Sequence, residues 1–300
     1  MTINAKTLFD PSLEKDNCGF GLIAQRNGKR SRKLVKKSIL GLTSMTHRGA
    51  IGADGKTGDG CGLLFDLNHS FFKLKVGEEL DVELPDFFAV AQLFHKNDID
   101  FYYSSIRKFL NSQDLDIAVT RSVPVNNEVL GKIAIQNLPN ISQVFITSKN
   151  TNLNKERFEA CLLQARKFIE EKFDNDEEFY VCSMSTQTIV YKGLMLPSAI
   201  DEFYLDLKDK KFEAKICLFH QRFSTNTLPR WHLAQPFRLL AHNGEINAIR
   251  GNRNWAKARK SKFSTALIPE ITTFKNLVNE KGSDSSALDN ICLLYTSDAA

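Results

Sequence analysis

The sequence lacks several features that would each indicate a particular class of protein. No stretch approaches the roughly 20 consecutive apolar residues of a membrane span, and no apolar run follows Met1 as it would in a secretory signal. The six cysteines form no C-x-x-C pair, which argues against a zinc ribbon and a redox motif. There is no internal repeat and no low-complexity tract. These absences predict a cytoplasmic protein without membrane segments.

The composition is that of a globular protein, with 42% hydrophobic and 25% charged residues in a chain of 300. The net charge of +5 is modest. The densest basic stretch, 26–37, holds seven Lys or Arg residues without interleaved aromatic residues. Such a run is more typical of a solvated helix face than of a nucleic-acid site, so no nucleic-acid partner is expected.

Local patterns predict a mixed α and β chain. Apolar runs predict strands at 19–24, 63–67, 87–94, 144–147, 180–184, 189–192 and 216–219. The strands at 180–184 and 189–192 are predicted to pair with each other. Helical spacing predicts helices at 33–45, 101–110 and 156–172, while the glycine-rich stretch 49–62 predicts a loop. Residues 237–241 are predicted to be a further strand leading into a polar cluster. This order favours an α+β fold with two antiparallel sheets covered by helices.

Cys18 lies between a polar leader, residues 1–17, and a Gly-Phe-Gly turn. If the leader is removed, Cys18 gains an α-amine with an ordinary pKa of about 7.7–8.0, which suits a general base for its own thiol. Nucleophile and base would then belong to one residue. A buried cysteine at a strand edge is the alternative interpretation.

Asn243 and Gly244 are candidates for binding the oxyanion that nucleophilic attack on an amide creates. A side-chain amide N–H and a backbone N–H are suitable donors, and glycine allows an unusual backbone conformation. Because Asn-Gly is also a strong hairpin signal, a type I′ turn is the alternative.

Arg222 and Asp284 could bind the two charged groups of an amino acid. An arginine can hold a carboxylate with two parallel hydrogen bonds, and an aspartate can hold an ammonium group. Either residue could equally be a surface charge, and Asp284 could be a helix N-cap.

Two other motifs do not predict sites. Gly55-Lys56-Thr57 resembles the end of a phosphate-binding loop, but Ala50 stands where the first glycine is required. His220, His232 and His242 are spaced by twelve and ten residues, which places no pair on one helix face. We therefore expect packing histidines and no metal site.

Several motifs together closely resemble the large subunits of glutamate synthases, over about residues 8–291. The motifs are Asp16-Asn17-Cys18-Gly19-Phe20-Gly21, His47-Arg48-Gly49-Ala50, Gly52-Ala53-Asp54, Thr57-Gly58-Asp59-Gly60, 220–225, Ala234-Gln235-Pro236-Phe237, 241–247 and Gly251-Asn252-Arg253-Asn254-Trp255.

The resemblance implies a class II glutamine amidotransferase domain with the N-terminal-nucleophile hydrolase fold, a four-layer α/β/β/α sandwich. It implies that residues 1–17 are a propeptide and that Cys18 is the nucleophile. Arg222, Phe223 and Thr225 would bind the glutamine carboxylate, and Asp284 its α-amine. Asn243 and Gly244 would form the oxyanion hole, and Arg48 would line the pocket.

In that family, ammonia from glutamine passes to a synthase domain of the same chain, where it combines with 2-oxoglutarate. The resemblance therefore implies flavin mononucleotide and an iron–sulfur cluster for the full-length enzyme, and a small NAD(P)H-oxidising subunit as a possible partner. We expect no cofactor in this fragment, since its cysteine count offers no cluster site. The electron donor stays open.

Two competing functions remain. One gives the ammonia to another acceptor, such as a phosphoribosyl or sugar-phosphate substrate, although the long insert at 66–215 disfavours it by resemblance. The other is an inert interaction module with an unprocessed N-terminus.

The chain is expected to contain a propeptide at 1–17, an incomplete amidotransferase domain at 18–291 and a non-native tail at 292–300. The tail matches a reading frame of a common sequencing transposon adaptor.

Overall fold

The computed structural model describes residues 19–150, 153–174, 176–222, 228–269, 271–280 and 282–297, with side chains to 292 in the last range. Its strands are β1 Phe20–Ala24, β2 Cys61–Asp66, β3 Ala89–His95, β4 Leu115–Ser122, β5 Asn140–Ser148, β6 Tyr180–Ser185, β7 Thr188–Gly193 and β8 Ile216–Gln221. Its α-helices are α1 Arg32–Ser44, α2 His69–Leu80, α3 Ile99–Asn111, α4 Lys132–Gln136, α5 Lys155–Lys172, α6 Ile200–Phe203, α7 Ile249–Arg259 and α8 Asp284–Ser297.

The strands form two antiparallel sheets. Sheet I has the order β1-β8-β2-β7, and sheet II has the order β4-β5-β3-β6. With helices packed on the sheets, this is the predicted α+β layered fold. The sheets are adjacent where β7 of sheet I meets β3 and β6 of sheet II.

Sheet II is buried on both faces, as its central strand shows. Val90 and Phe94 of β3 belong to a core that also contains sheet I, α1 and α2 side chains. Ala91 and Leu93, the alternate residues, belong to a second core with α3 and α5. Because strand side chains alternate between faces, this partition places apolar layers on either side of the sheet.

A chain of buried polar side chains crosses the first core. Arg121 makes paired contacts to Asp206, with both N···O distances 2.8 Å, and to Glu79. It also donates to Gln143, whose amide donates to Gln92. Every link carries a hydrogen bond, so the polar groups are compensated within the apolar core.

The predicted pairing of the strands across 180–192 is wrong. β6 ends sheet II and β7 ends sheet I, so the two strands pair with different partners. The carboxylate of Glu159 accepts hydrogen bonds from the Ser185 hydroxyl and from the backbone and hydroxyl of Thr186. These bonds hold the connection as the chain passes from one sheet to the other.

The predicted strand at 237–241 is also wrong, because these residues form an irregular segment. Helix α2 and strand β4 are elements that the sequence pattern does not predict. In β4 the inward-facing Arg121 interrupts the apolar alternation that otherwise marks a strand.

Helix α8 continues past Ile291 to Ser297, so no change of structure marks the expected start of the non-native tail. That boundary stays a prediction. Residues 1–17 and 298–300 lie outside the described residues.

Candidate functional site

The end of β8 lies beside the residue that follows Cys18. Phe20 pairs with His220 in the antiparallel register of β1 and β8, and the Gln221 N–H donates to the Gly19 carbonyl at 2.7 Å. Cys18 itself lies outside the described residues. The register nevertheless places Gln221 and the neighbouring Arg222 next to the start of β1.

The Asn243 side chain lies against Gly19. A Cβ atom added to Gly19 would be 3.1 Å from Asn243 Oδ1, 3.3 Å from Nδ2 and 2.9 Å from the Gln221 carbonyl oxygen. The approach to the Gln221 carbonyl is closer than Cβ atoms show in proteins, so a side chain at position 19 would force a backbone shift. The contact brings the amide predicted to bind an oxyanion to the residue adjoining the predicted nucleophile.

The Asn243-Gly244 pair is not a hairpin turn, because no strands flank it. Gly244 has φ of +133°, a conformation that residues with a side chain rarely adopt. The glycine therefore suits the path of this loop, as the sequence predicts. The alternative interpretation, a type I′ hairpin turn, is not what the structure shows.

Gln235 clamps the same loop at His242. The His242 N–H donates to Gln235 Oε1 at 2.8 Å, and Gln235 Nε2 donates to the His242 carbonyl at 3.0 Å. Gln235 is buried, so its amide is held in place. Two hydrogen bonds thus fix the backbone immediately before Asn243.

The start of α8 holds the other side of the loop. Asp284, its first residue, is buried and accepts the Ile246 N–H at 2.7 Å through Oδ2. His242 Nδ1 lies 2.9 Å from the Ser285 hydroxyl. Asp284 therefore lies beside the loop of Asn243, and it is not the helix N-cap, since Ser283 Oγ accepts the Ser286 N–H at 3.1 Å.

Arg222 has an unusual backbone conformation at the end of β8. Its φ is +109°, where a non-glycine residue is strained, and its N–H donates to the Gly60 carbonyl at 2.6 Å. The side chain is exposed. Phe223 and Thr225, the other predicted carboxylate-binding residues, lie outside the described residues.

Asp59 and Gln221 form a buried polar pair near Arg222. Within the described ranges, Asp59 Oδ1 and both polar atoms of the Gln221 side chain are buried without a hydrogen-bond partner. A Cβ at Gly49 would be 2.0 Å from Gln221 Nε2 and 2.7 Å from Asp59 Oδ1. Burial raises the pKa of the Asp59 carboxyl, and the Arg222 charge partly offsets this.

Arg48 lies near Asp59 and Gln221 because it directly precedes Gly49 in the chain. It ends the short 3-10 helix 46–48, is half-buried, and precedes Gly49, which contacts Gln221. The structure thus brings Arg48, Arg222, Asn243, Gly244 and Asp284 into one region around the start of β1.

The glycine-rich loop that leads into β2 is pinned to α4. Asp54 accepts hydrogen bonds from the Thr57 hydroxyl and from the backbone N–H groups of Lys56, Thr57 and Ile133. These donors hold the pKa of Asp54 well below its usual range. The loop is therefore a fixed support for Asp59.

His220, which we expected to be a packing histidine, contacts two of the predicted site residues. Its ring is buried, with Nδ1 2.9 Å from the Arg222 carbonyl and Nε2 2.8 Å from Asn243 Oδ1. Burial lowers the pKa of His220 to about 4 because it disfavours the charged ring. Its position near a strand end, two residues before Arg222, is the signal that could have identified it.

A buried ion network ties this region to α5. Arg238 pairs with Asp289 of α8 and with Glu170 of α5, and Glu170 also pairs with Arg166. The Leu239 N–H donates to Asp289 at 2.9 Å. The segment between Gln235 and Asn243 is consequently anchored to two helices.

The described cysteines are poor nucleophiles. Cys61, Cys161, Cys182 and Cys217 are buried, and burial raises the pKa of each thiol, that of Cys182 to about 12. A raised pKa keeps a thiol protonated and unreactive at neutral pH. Burial also raises the pKa of Cys292, and Cys18 is the sixth cysteine of the chain.

Over the described ranges, no cluster of three His, Cys, Asp or Glu side chains could hold a metal ion. In the same part of the chain, no helix combines the length and apolarity needed to cross a bilayer.

Comparisons with known proteins agree with the motif resemblance. Residues 18–299 match the family described as glutamine amidotransferases class-II. The glutamate synthase [NADPH] large chain of Bacillus subtilis is 39% identical over 292 residues, which cover 95% of this chain and 19% of that protein. Glutamate synthase [NADH] of Saccharomyces cerevisiae is 37% identical over 96% of this chain and 14% of its own length. The ferredoxin-dependent glutamate synthase of Cyanidium caldarium is 38% identical over 94% and 19%. The chain thus spans less than a fifth of these relatives.

Proposed function

Because this chain belongs to the class II glutamine amidotransferases, we propose that it performs the glutaminase half-reaction of a glutamate synthase, with Cys18 as the nucleophile. The observation that carries the proposal is the contact between the Asn243 amide and Gly19. The Asn243 side chain lies against the residue that adjoins Cys18, which supports its assignment as an oxyanion donor.

The reaction begins when removal of residues 1–17 frees the α-amine of Cys18. This amine accepts the thiol proton, and the thiolate attacks the side-chain carbonyl carbon of glutamine. The resulting oxyanion accepts hydrogen bonds from Asn243 Nδ2 and the Gly244 N–H. The protonated amine then donates to the leaving nitrogen, and ammonia departs as the glutamyl thioester forms. Water hydrolyses the thioester, which releases glutamate and restores the thiol.

The charged end of glutamine is bound by opposite charges. Arg222 holds the carboxylate with help from Phe223 and Thr225, and Asp284 holds the α-ammonium group. Asp284 suits this role because it is buried at 3% exposure and its carboxylate already faces the loop of Asn243. Arg48 lines the pocket.

The ammonia then serves a synthase domain of the full-length chain, where it combines with 2-oxoglutarate. Flavin mononucleotide, an iron–sulfur cluster and a small NAD(P)H-oxidising subunit belong to this proposal for the whole enzyme. The relatives' names give NADH, NADPH and ferredoxin. All three electron donors are compatible with the proposal.

The first experiment measures the N-terminus and the reactive thiol. Intact mass and N-terminal sequencing of the expressed chain should show Cys18 as its first residue, and 6-diazo-5-oxonorleucine should label that residue. Cys161→Ala, which changes a buried thiol, is the matched control and should leave labelling intact. A chain that begins at Met1 and is not labelled would support the inert module instead.

The second experiment separates the two half-reactions. In the full-length enzyme, Cys18→Ala should abolish synthesis from glutamine and leave ammonia-dependent synthesis unchanged, because only the glutaminase site loses its nucleophile. Loss of both activities in a well-folded variant would contradict two separate sites.

A further inference from the structure

His220 is placed to control the orientation of Asn243. The side chain is 1% exposed on β8, and Nε2 lies 2.8 Å from Asn243 Oδ1. Asn243 also contacts Gly19, so its amide lies between the histidine and the residue beside Cys18.

The orientation matters because the two ends of the amide have opposite hydrogen-bonding properties. Nδ2 carries two donor hydrogens, whereas Oδ1 only accepts. An oxyanion is stabilised by Nδ2 and repelled by Oδ1. A half-turn of the amide about its final bond would therefore convert a stabilising contact into a repulsive one.

We propose that His220 is a positioning residue for glutamine hydrolysis, donating from Nε2–H to Asn243 Oδ1 so that Nδ2 is left to donate to the oxyanion. The inference rests on the proposed function, because it assigns a role to His220 through the oxyanion donor. His220 itself is not a catalytic residue, since both ring nitrogens are engaged by Asn243 and by the Arg222 carbonyl.

The two ring contacts compete for protons. Both Asn243 Oδ1 and the Arg222 carbonyl are acceptors, so satisfying both requires a charged ring. Burial opposes this charge and lowers the pKa of His220 to about 4. A neutral ring keeps one N–H, and the proposal requires that this hydrogen be on Nε2.

Two substitutions separate the ring contacts. In His220→Gln, the amide nitrogen can occupy the place of Nε2 and keep the donor to Asn243. In His220→Asn, it can occupy the place of Nδ1 and reach only the Arg222 carbonyl, so the donor to Asn243 is lost. We expect His220→Asn to lower kcat about 10- to 100-fold with KM nearly unchanged, since the lost stabilisation belongs to the transition state. His220→Gln should recover most of kcat.

A double-mutant cycle tests whether His220 acts through Asn243. In an Asn243→Ala background, His220→Asn should lower kcat no further, because the side chain that it positions is absent. Equal losses in the two histidine variants, additive losses in the cycle, or an effect confined to KM would overturn the proposal.

The wild-type protein supplies a test that does not depend on folding of variants. Side-chain ¹⁵N NMR of His220 at neutral pH should show the proton on Nε2, and a neutral ring protonated only on Nδ1 would overturn the inference. These outcomes are separate from failure of the proposed function, which would appear as glutaminase activity that survives Cys18→Ala.

Discussion

Replacing Gln235 with methionine should slow glutamine hydrolysis without touching a substrate-binding group. Gln235→Met keeps the side-chain volume but removes the two hydrogen bonds to the His242 backbone. A buried polar group left unsatisfied costs about 1–3 kcal/mol. Because His242 is only half-buried, we take the lower end for each group, about 2–3 kcal/mol in total.

The free energy lost with the two hydrogen bonds can appear either in protein stability or in kcat. If the loop keeps its position, the free energy of unfolding in urea falls by about 2–3 kcal/mol. If the loop relaxes instead, the competent fraction falls, and kcat drops by as much as about 30- to 150-fold. Glutaminase kcat and urea unfolding should therefore be measured on the same preparation. Unchanged kcat together with unchanged stability would refute the clamp.

Three further predictions concern the surroundings of the site and the core. Gly244→Ala should cost about 1–3 kcal/mol, in stability or in kcat, from backbone strain, because among the described residues other than its chain neighbours the added Cβ would approach no atom closer than 3.6 Å; identical unfolding curves and kcat would contradict it. Since burial raises the Asp59 pKa, the contribution of Asp59 to wild-type stability falls as pH rises from the unfolded value of about 3.9 through the higher folded value. The stability advantage of Asp59→Asn, followed by thermal unfolding, should therefore grow through that window and then level off; a pH-independent difference would argue against it. Arg121→Met should cost about 3–5 kcal/mol in urea unfolding by leaving Asp206 buried and unpaired, and adding Asp206→Asn should restore part of it; no recovery would count against the pairing.

Helices with a clear apolar face could be predicted from the sequence to within a few residues. The predictions 33–45, 101–110 and 156–172 correspond to α1, α3 and α5. The prediction that β6 and β7 form a hairpin failed because a short connection suggests local pairing. Pairing partners depend on contacts distant in sequence, such as Glu159 with Thr186, and local patterns do not contain them.

The site residues were predictable where a chemical role restricts the residue type. Asn243, Gly244 and Asp284 lie in one region of the structure, and their roles in the reaction stay predictions. The contacts of Gln235 with His242 and of His220 with Asn243 were not predicted. They depend on how each side chain is oriented, and a single sequence does not indicate which backbone groups a glutamine will bind. Their positions beside the predicted motifs were the available hint.

The network around Arg238 affects how a screen of random variants should be interpreted. Glu170 is far from Asn243 in sequence, yet its carboxylate holds the arginine that anchors the segment between Gln235 and Asn243. In such a screen, a variant substituted at Glu170 or Asp289 is therefore expected to show slow turnover with normal expression. Residues that emerge in this way would mark the framework of the site, and a distant hit should first be tested for its connection to Arg238.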